Sequence, residues 1–434
     1  MIPDRALVAA LRRDVADALT ARHAEDEASG RTRMDRASER QLCRSMIIDA
    51  IARDASDRIS RGDTVLTSET EMAVAQAVFD SLFGLGRLQP ILDDPTITDV
   101  HVNGCDNVFV KHLDGTREQL DPVAESDDEL VELIRLAAAR FGRTERRFDA
   151  GSPELNLQLP DGSRLFAVQA VSARPSLAIR MHRHQKVFLD DLVGLGTIDR
   201  TLASFLGALV RSRQNVIIAG GTGVGKTTLL RACANEISPE ERLVTVEDAL
   251  ELGLDRYPEL HPNVITFEER RANVEGEGTV TMSDLVRWGL RMDPDRVIVG
   301  EVRGDEVLPM LNAMSQGNDG SLATIHSDSS HGVFSKLALY AVQTPQRLPL
   351  EATNLLVANS IDFVVFCSRD REGRRFVSSV REVVGADDRL VVSNEVFRPG
   401  QDRRAVVGAP LRSSTLETLA DHGFNPASLE ERWS

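Results

Sequence analysis

Val216-Ile-Ile-Ala-Gly-Gly-Thr-Gly-Val-Gly-Lys-Thr-Thr228, followed by Leu229-Leu230-Arg231-Ala232, decides the fold. An apolar run, a glycine loop of the form G-x-x-x-x-G-K-T and a helix-forming run stand in the order strand, loop, helix. Gly220, Gly221, Gly223 and Gly225 let backbone N–H groups turn inward around a phosphate without Cβ obstruction. Thr222 and Val224 contribute their own N–H groups, and Thr228 closes the stretch. The helix that begins here adds its positive end. Lys226 is placed to reach the β- and γ-phosphates, and Thr227 to set its hydroxyl on Mg²⁺, so ATP and Mg²⁺ are the expected ligands. The chain holds only four lysines, Lys111, Lys186, Lys226 and Lys336, against a large arginine excess. Keeping lysine here points to a need for a compact ammonium.

Strands alternate with helices from about residue 197 onward, which implies a largely parallel sheet. Val216–Ala219, Leu243–Val246, Val264–Phe267, Val297–Val299 and Leu322–Ile325 are the expected strands, and Phe363 to Cys367 with Phe376 to Val384 a later hairpin around Glu372-Gly373. Ligands of such sheets bind at the carboxyl ends of the strands. Glu247 and Asp248 follow one strand, Glu301 and Arg303 another, and His326 a third. Phosphoryl transfer needs charge neutralisation and a positioned water. Glu301 is the expected water-orienting group and a water-mediated neighbour of Mg²⁺. Glu247 and Asp248 could hold Mg²⁺ or its water shell, and His326 could sense the γ-phosphate. Gly300 stands where a strand of this kind usually carries an aspartate.

Three domains and a linker are expected: a helical extension over 1–62, a smaller α/β domain over 63–185, a linker over 186–196 and the nucleotide-binding domain over 197–434. In the extension, Leu7, Leu11, Val15 and Leu19 share a helical face, Gly30 to Arg33 breaks it, and Met46, Ile47 and Ile51 begin a second stripe. A solvated arm and a docking helix pair are both open readings. In the α/β domain, Ser68 to Glu71 reads as a capping box opening a helix to Gly84, and Ser126 to Glu129 opens another ending near Gly142. Strands are expected at Ile97 to Val102, Val108 to Lys111 and Ser176 to Met181, with a hairpin through Pro160-Asp161-Gly162-Ser163.

With 434 residues and 42% hydrophobic content, ordinary packed cores are available. No apolar stretch reaches the length of a membrane span, and the N-terminus carries no signal-peptide pattern, so a cytoplasmic protein is expected. Cys43, Cys105, Cys233 and Cys367 are isolated, which argues against a disulfide framework or cysteine zinc site. The net charge of −16 disfavours wrapping of nucleic acid.

Several stretches resemble a known family. Arg242-Leu-Val-Thr-Val-Glu-Asp-Ala-Leu-Glu251, Asn273-Val-Glu-Gly276, Arg291-Met-Asp-Pro-Asp-Arg-Val-Ile-Val-Gly-Glu-Val-Arg-Gly304 and Asp319-Gly-Ser-Leu-Ala-Thr-Ile-His326 look like the Asp box, inter-box segment, Walker B and His box of the secretion ATPase superfamily. Gly84 to Pro90, Ile97 to Gly104 and Leu159 to Arg164 resemble its N-terminal domain. The nearest branch by this resemblance is the CpaF/TadA ATPases of tight-adherence (Flp) pili; the cysteine-zinc insertion of type II secretion ATPases is absent. The resemblance implies a RecA-like P-loop domain, and a homohexameric motor peripheral to the inner face of the cytoplasmic membrane. It implies inner-membrane platform proteins as partners. ATP would be closed over by the N-terminal domain, with Arg164 and Arg180 as phosphate contacts and Arg147 a weaker match. Arg270, Arg287 and Arg303 also match family arginines. Asn318, Asp293 and Val224 depart from the common pattern. A type IV secretion or conjugation ATPase is the alternative within the superfamily. A RecA-like nucleic-acid translocase would want a basic channel with interleaved aromatics, whereas aromatics are 4% here. A scaffold without turnover is a further class, disfavoured by Lys226, Thr227 and Glu301.

Overall fold

The computed structural model describes residues 4–31, 34–142, 147–181, 186–270, 272, 277–387 and 389–430. It divides into two compact units, residues 1–183 and 184–434.

The first unit opens with three helices: α1 (Arg5–Ala28), α2 (Arg36–Arg61) and α3 (Ser68–Phe83). Asp4 caps α1 by accepting from the Ala6 and Leu7 N–H groups, and Asp35 caps α2 through Ser38 N–H. Thr67, rather than Ser68, caps α3, accepting from Thr70 N–H. Leu7, Leu11 and Val15 share one core with Cys43, Ile47 and Ile51 of α2 and with Val74, Val78 and Phe79 of α3. The solvated-arm reading therefore gives way to packed helices. The expected boundary at 62 cuts through this core, because two amphipathic helices need a third to close their apolar faces.

α4 (Gln89–Asp93), β1 (Ile97–Asn103), β2 (Val108–His112), β3 (Arg117–Leu120), α5 (Asp127–Phe141), β4 (Glu154–Gln158), β5 (Arg164–Val168) and β6 (Ser176–Arg180) complete the unit. The sheet runs β3-β2-β1-β6-β5-β4 and every pairing is antiparallel. Leu130, Ile134, Ala137 and Ala138 of α5 join its apolar face. The hairpin expected through Pro160 to Ser163 is β4–β5, and Asp161 ties its turn by accepting from Ser163 N–H. β3 was not expected: Arg-Glu-Gln-Leu has no apolar alternation, and β3 exists as an exposed edge paired to β2.

The second unit contains α6 (Leu189–Gly194), α7 (Arg200–Arg211), β7 (Val216–Gly220), α8 (Lys226–Ala234), β8 (Leu243–Glu247), β9 (Val264–Glu268), α9 (Met282–Gly289), β10 (Arg296–Val302), α10 (Val307–Ser315), β11 (Leu322–His326), α11 (Gly332–Gln343), α12 (Leu350–Ser360), β12 (Phe363–Arg369), β13 (Arg375–Ala386), β14 (Val391–Pro399), β15 (Ala405–Val407), α13 (Ser413–Asp421) and α14 (Ala427–Glu430). The linker expected over 186–196 is corrected. Leu189 and Leu192 of α6 are buried in the core against α7 and α8, so this stretch is part of the unit.

The sheet runs β15-β14-β13-β12-β7-β11-β10-β8-β9. Pairings from β12 to β9 are parallel, and those from β12 to β15 antiparallel. Val216 and Ile218 of β7 enter the core on one face, and Ile217 and Ala219 the core on the other. Burial on both faces explains the unbroken apolar run of this strand. β14 and β15 were not expected; they extend the hairpin that was.

At the start of β10, Arg296 is 1% exposed. Its Nε and Nη2 donate to the two Glu241 carboxylate oxygens at 2.7 Å each, and Nη1 donates to the Val210 carbonyl at 2.8 Å. A Cβ at Gly320 would stand 2.6 Å from Nη1, so the Asp319-Gly320-Ser321 stretch serves packing as much as chemistry. Removing one partner of a buried ion pair costs about 3–5 kcal/mol. Arg296→Met is expected to lower unfolding free energy by about that amount in urea titration; a loss below about 1 kcal/mol would show that the pair is dispensable.

Candidate nucleotide-binding site

β7 delivers the glycine loop to the carboxyl edge of the parallel sheet. Gly220, Gly223 and Gly225 hold φ of 151°, 74° and 96°, conformations that L side chains rarely adopt. Gly225 is the residue before α8, so the helix begins at Lys226 with its first N–H groups facing the loop. Val224, a departure from the family pattern, packs its side chain against the core, and its backbone remains in the loop.

The order β7-β11-β10-β8 sets four strand ends side by side, and a ladder of polar side chains follows that order. Lys226 Nζ donates to the carbonyls of Gly220 (3.2 Å) and Gly221 (3.0 Å) and stands 3.3 Å from His326 Nδ1. An ammonium has only hydrogens to offer, so Nδ1 accepts and Nε2 carries the proton. Nε2 stands 2.6 Å from Glu301 Oε1. The other Glu301 oxygen accepts from Arg303, which also pairs with Asp248. Burial first, then the Lys226 ammonium, hold the His326 pKa below the ordinary histidine range, consistent with a neutral ring. Burial likewise lowers that of Lys226. Glu301, Asp248, Arg303, His326 and Lys226 thus come together at one edge of the sheet.

Glu247 departs from its expected role. It is buried, and its Oε2 accepts from Glu251 N–H at 2.7 Å and Leu252 N–H at 2.9 Å, pinning the loop after β8. Its Oε1 is buried without a hydrogen-bond partner. Burial pushes its carboxyl pKa up to about 7. A Cβ at residue 300 would lie 2.9 Å from Glu247 Cγ. Gly300 therefore is not a lost aspartate: the Glu247 side chain fills the space beside it.

The remaining expectations fall as follows. Thr227 lies in the first turn of α8, half-buried. Arg164 and Arg180 face one another across β5 and β6, with Asp99 opposite Arg180 on β1, so they share one sheet face of the first unit. Arg147 is exposed. Arg270 donates to the Gly278 carbonyl at 2.6 Å, and Arg287 is 53% exposed beside Asp284. The segment 273–276 lies outside the described residues. Asn318 donates to the Pro294 carbonyl at 2.7 Å, and Asp293 takes φ of 53°, which aspartate tolerates. Two residues escaped notice in the sequence. Glu306, buried, accepts from the Arg303 and Gly304 N–H groups and shapes the loop after β10. Arg231 of α8 donates to the Glu251 carbonyl at 2.6 Å, joining the glycine-loop helix to the loop that Glu247 pins. Glu306 closes a turn three residues long without a motif of its own, and Arg231 acts on a backbone carbonyl twenty positions away, which no spacing signals.

Residues 83–395 match the family described as Type II/IV secretion system protein. The chain belongs to that family. A Mycobacterium tuberculosis protein named for conjugal transfer is 35% identical over 335 residues, covering 75% of this chain and 92% of that one. The type IV secretion system protein VirB11 of Brucella suis is 31% identical over 333 residues, covering 70% and 90%. A crystal structure of the pilus retraction motor PilT with bound ADP is similar at a TM-score of 0.51 and 16% identity, covering 80% of this chain and 89% of that one. This last likeness concerns the fold, which is the RecA-like P-loop fold of the secretion ATPases. The superfamily expected from the motifs is the one matched; none of these relatives singles out the tight-adherence branch. Among the described residues no helix is long and apolar enough to cross a membrane.

The state of Glu247 has a measurable consequence for this family member. With its pKa raised from 4.5 to about 7, the folded chain keeps a proton that the unfolded chain has released. Its contribution to stability is full below the lower value and is lost as pH rises through the upper one. Between about pH 5 and pH 8 the melting temperature of the native protein is expected to fall relative to that of Glu247→Gln. Parallel curves across that window would show Glu247 ionised throughout.

Proposed function

We propose that the chain is an ATP hydrolase of the secretion-motor type, acting as a cytoplasmic homohexamer at the inner face of the cytoplasmic membrane. What carries the reading is the ladder from Lys226 through His326, Glu301 and Arg303 to Asp248, built beside a glycine loop. Lys226 would exchange its carbonyl partners for the β- and γ-phosphate oxygens of ATP. Glu301, held from both sides by His326 and Arg303, is fixed in direction and can orient and activate a water. His326, neutral with Nε2–H toward Glu301, keeps that carboxylate aligned and lies within reach of Lys226, which makes it a reporter of the γ-phosphate.

The residues also fit Mg²⁺. Thr227 and Glu301 offer oxygen donors, and Mg²⁺ usually keeps waters and substrate phosphates in place of a protein cage. Among the described residues no cluster of three or more His, Cys, Asp or Glu could hold a metal, which such a site does not need. When bound, the ion would neutralise charge on the phosphate oxygens. Thr227 would hold it directly and Glu301 through water; Glu247, turned into the protein, would not.

For the work performed, the motif resemblance supports assembly of a tight-adherence pilus, or related secretion, through an inner-membrane platform. A second reading, a type IV secretion or conjugation ATPase, is supported by the names of the 35% and 31% identical relatives. A nucleic-acid translocase is disfavoured by the charge of −16.

Lys226→Ala is expected to abolish productive ATP binding, read by fluorescent-nucleotide titration. Glu301→Gln should still bind ATP while hydrolysis falls about a hundredfold or more. Near-normal phosphate release by Glu301→Gln would move the water-orienting role elsewhere.

If the first unit closes the site, residues 184–434 alone should fold and hydrolyse ATP poorly. Arg164→Ala and Arg180→Ala should each lower turnover of the full chain with little change in melting temperature. Equal specific activity of residues 184–434 and the full chain would make those arginines surface charge.

A further inference from the structure

The β12–β13 hairpin presses on the glycine loop of the same unit. Cys367 of β12 is in register with Gly220, and a Cβ at Gly220 would stand 2.5 Å from the Cys367 carbonyl oxygen. At the other end of the loop, the Cδ of Arg375 lies 3.3 Å from where a Cβ of Gly225 would stand. Two glycines of the loop therefore face the hairpin.

Arg375 is the first residue of β13, and it sits directly opposite Arg369, the last residue of β12. Both are exposed. Their arginine neighbours are engaged: Arg374 pairs with Asp370 and Glu372, and Arg403 donates to the Ser368 hydroxyl. Among the described residues, neither Arg369 nor Arg375 has an ion pair or a side-chain hydrogen bond. Like charges placed directly opposite on neighbouring strands are destabilising. The protein therefore carries an uncompensated cationic pair, of which Arg375 lies against the last glycine before Lys226.

We propose that Arg375, reinforced by Arg369, is a further nucleotide-contacting group, its guanidinium supplying positive charge to the phosphate chain held in the glycine loop. The inference rests on the nucleotide reading above and adds to it a cation that neither the glycine-loop motif nor the ladder contains. A guanidinium suits the task because its planar fork donates two parallel hydrogen bonds to phosphate oxygens, and because it stays charged beside Lys226. The like-charge repulsion across β12–β13 would then be relieved by the substrate, so that the hairpin favours the occupied loop.

The test uses the full chain and a fluorescent ATP analogue, with melting temperature recorded with and without nucleotide. Arg375→Ala is expected to weaken binding about tenfold or more, with Arg375→Lys recovering part of the loss and Arg369→Ala giving a smaller loss. Without nucleotide, the melting temperature of Arg375→Ala should be unchanged or higher, since repulsion has been removed. The increment in melting temperature on adding nucleotide should shrink. Unchanged affinity of Arg375→Ala overturns the inference, and so does a fall in melting temperature without nucleotide that accounts for the affinity loss. If the unsubstituted protein fails to bind the analogue, the nucleotide reading itself falls, and this inference with it.

Discussion

The parallel pairing of β7 with β11 on one side and β12 on the other is the constraint on which the rest depends. β7 is buried on both faces, so neither neighbour can slip without exposing apolar residues. The register places His326 and Cys367 each opposite Gly220. One strand end thereby receives an imidazole from the left and a carbonyl from the right. β10 and β8 extend the series, and the charges arrive in the order needed for a continuous ladder. No residue of the ladder chooses its neighbour; the strand order does.

That arrangement concentrates ionisable groups at one edge of the sheet, some of them buried, and the energetic cost is met in different ways. Glu301 shares two cationic or proton-donating partners, and Arg303 shares two carboxylates. Glu247, deeper, meets only backbone N–H groups and answers by holding its proton up to about pH 7. Arg296, deeper still, is neutralised by Glu241 and by carbonyls. Three carboxylate environments within one unit thus sort into a polar ladder, a loop anchor and a structural ion pair. Burial and partner geometry make the difference, since the residue types are the same.

Much of this was legible in the order of residues. The apolar run of β7, the glycines, Lys226 and the polar residues after three later strands declare a nucleotide-binding α/β unit, because backbone sterics and strand direction are local properties. The hairpins through Pro160 to Ser163 and around Glu372-Gly373 were legible for the same reason. α6 was not, since six residues with two acids look like a connector until Leu189 and Leu192 meet α7 and α8. β3 and β15 were not, because edge strands need no apolar alternation.

What the sequence by itself determined is the chemistry available: a phosphate cradle, a lysine, and carboxylates and a histidine at strand ends. It could not say which glutamate joins the ladder and which pins a loop. Glu247 and Glu301 both follow apolar strands, yet one turns inward onto backbone N–H groups and the other faces His326 and Arg303. Nor could it say why Gly300 stands where an aspartate is usual, or why Arg375 bears on Gly225 across 150 positions. Those are contacts between strands distant in the chain, and only the sheet order, set by burying apolar surface on both faces, brings them within a few ångströms.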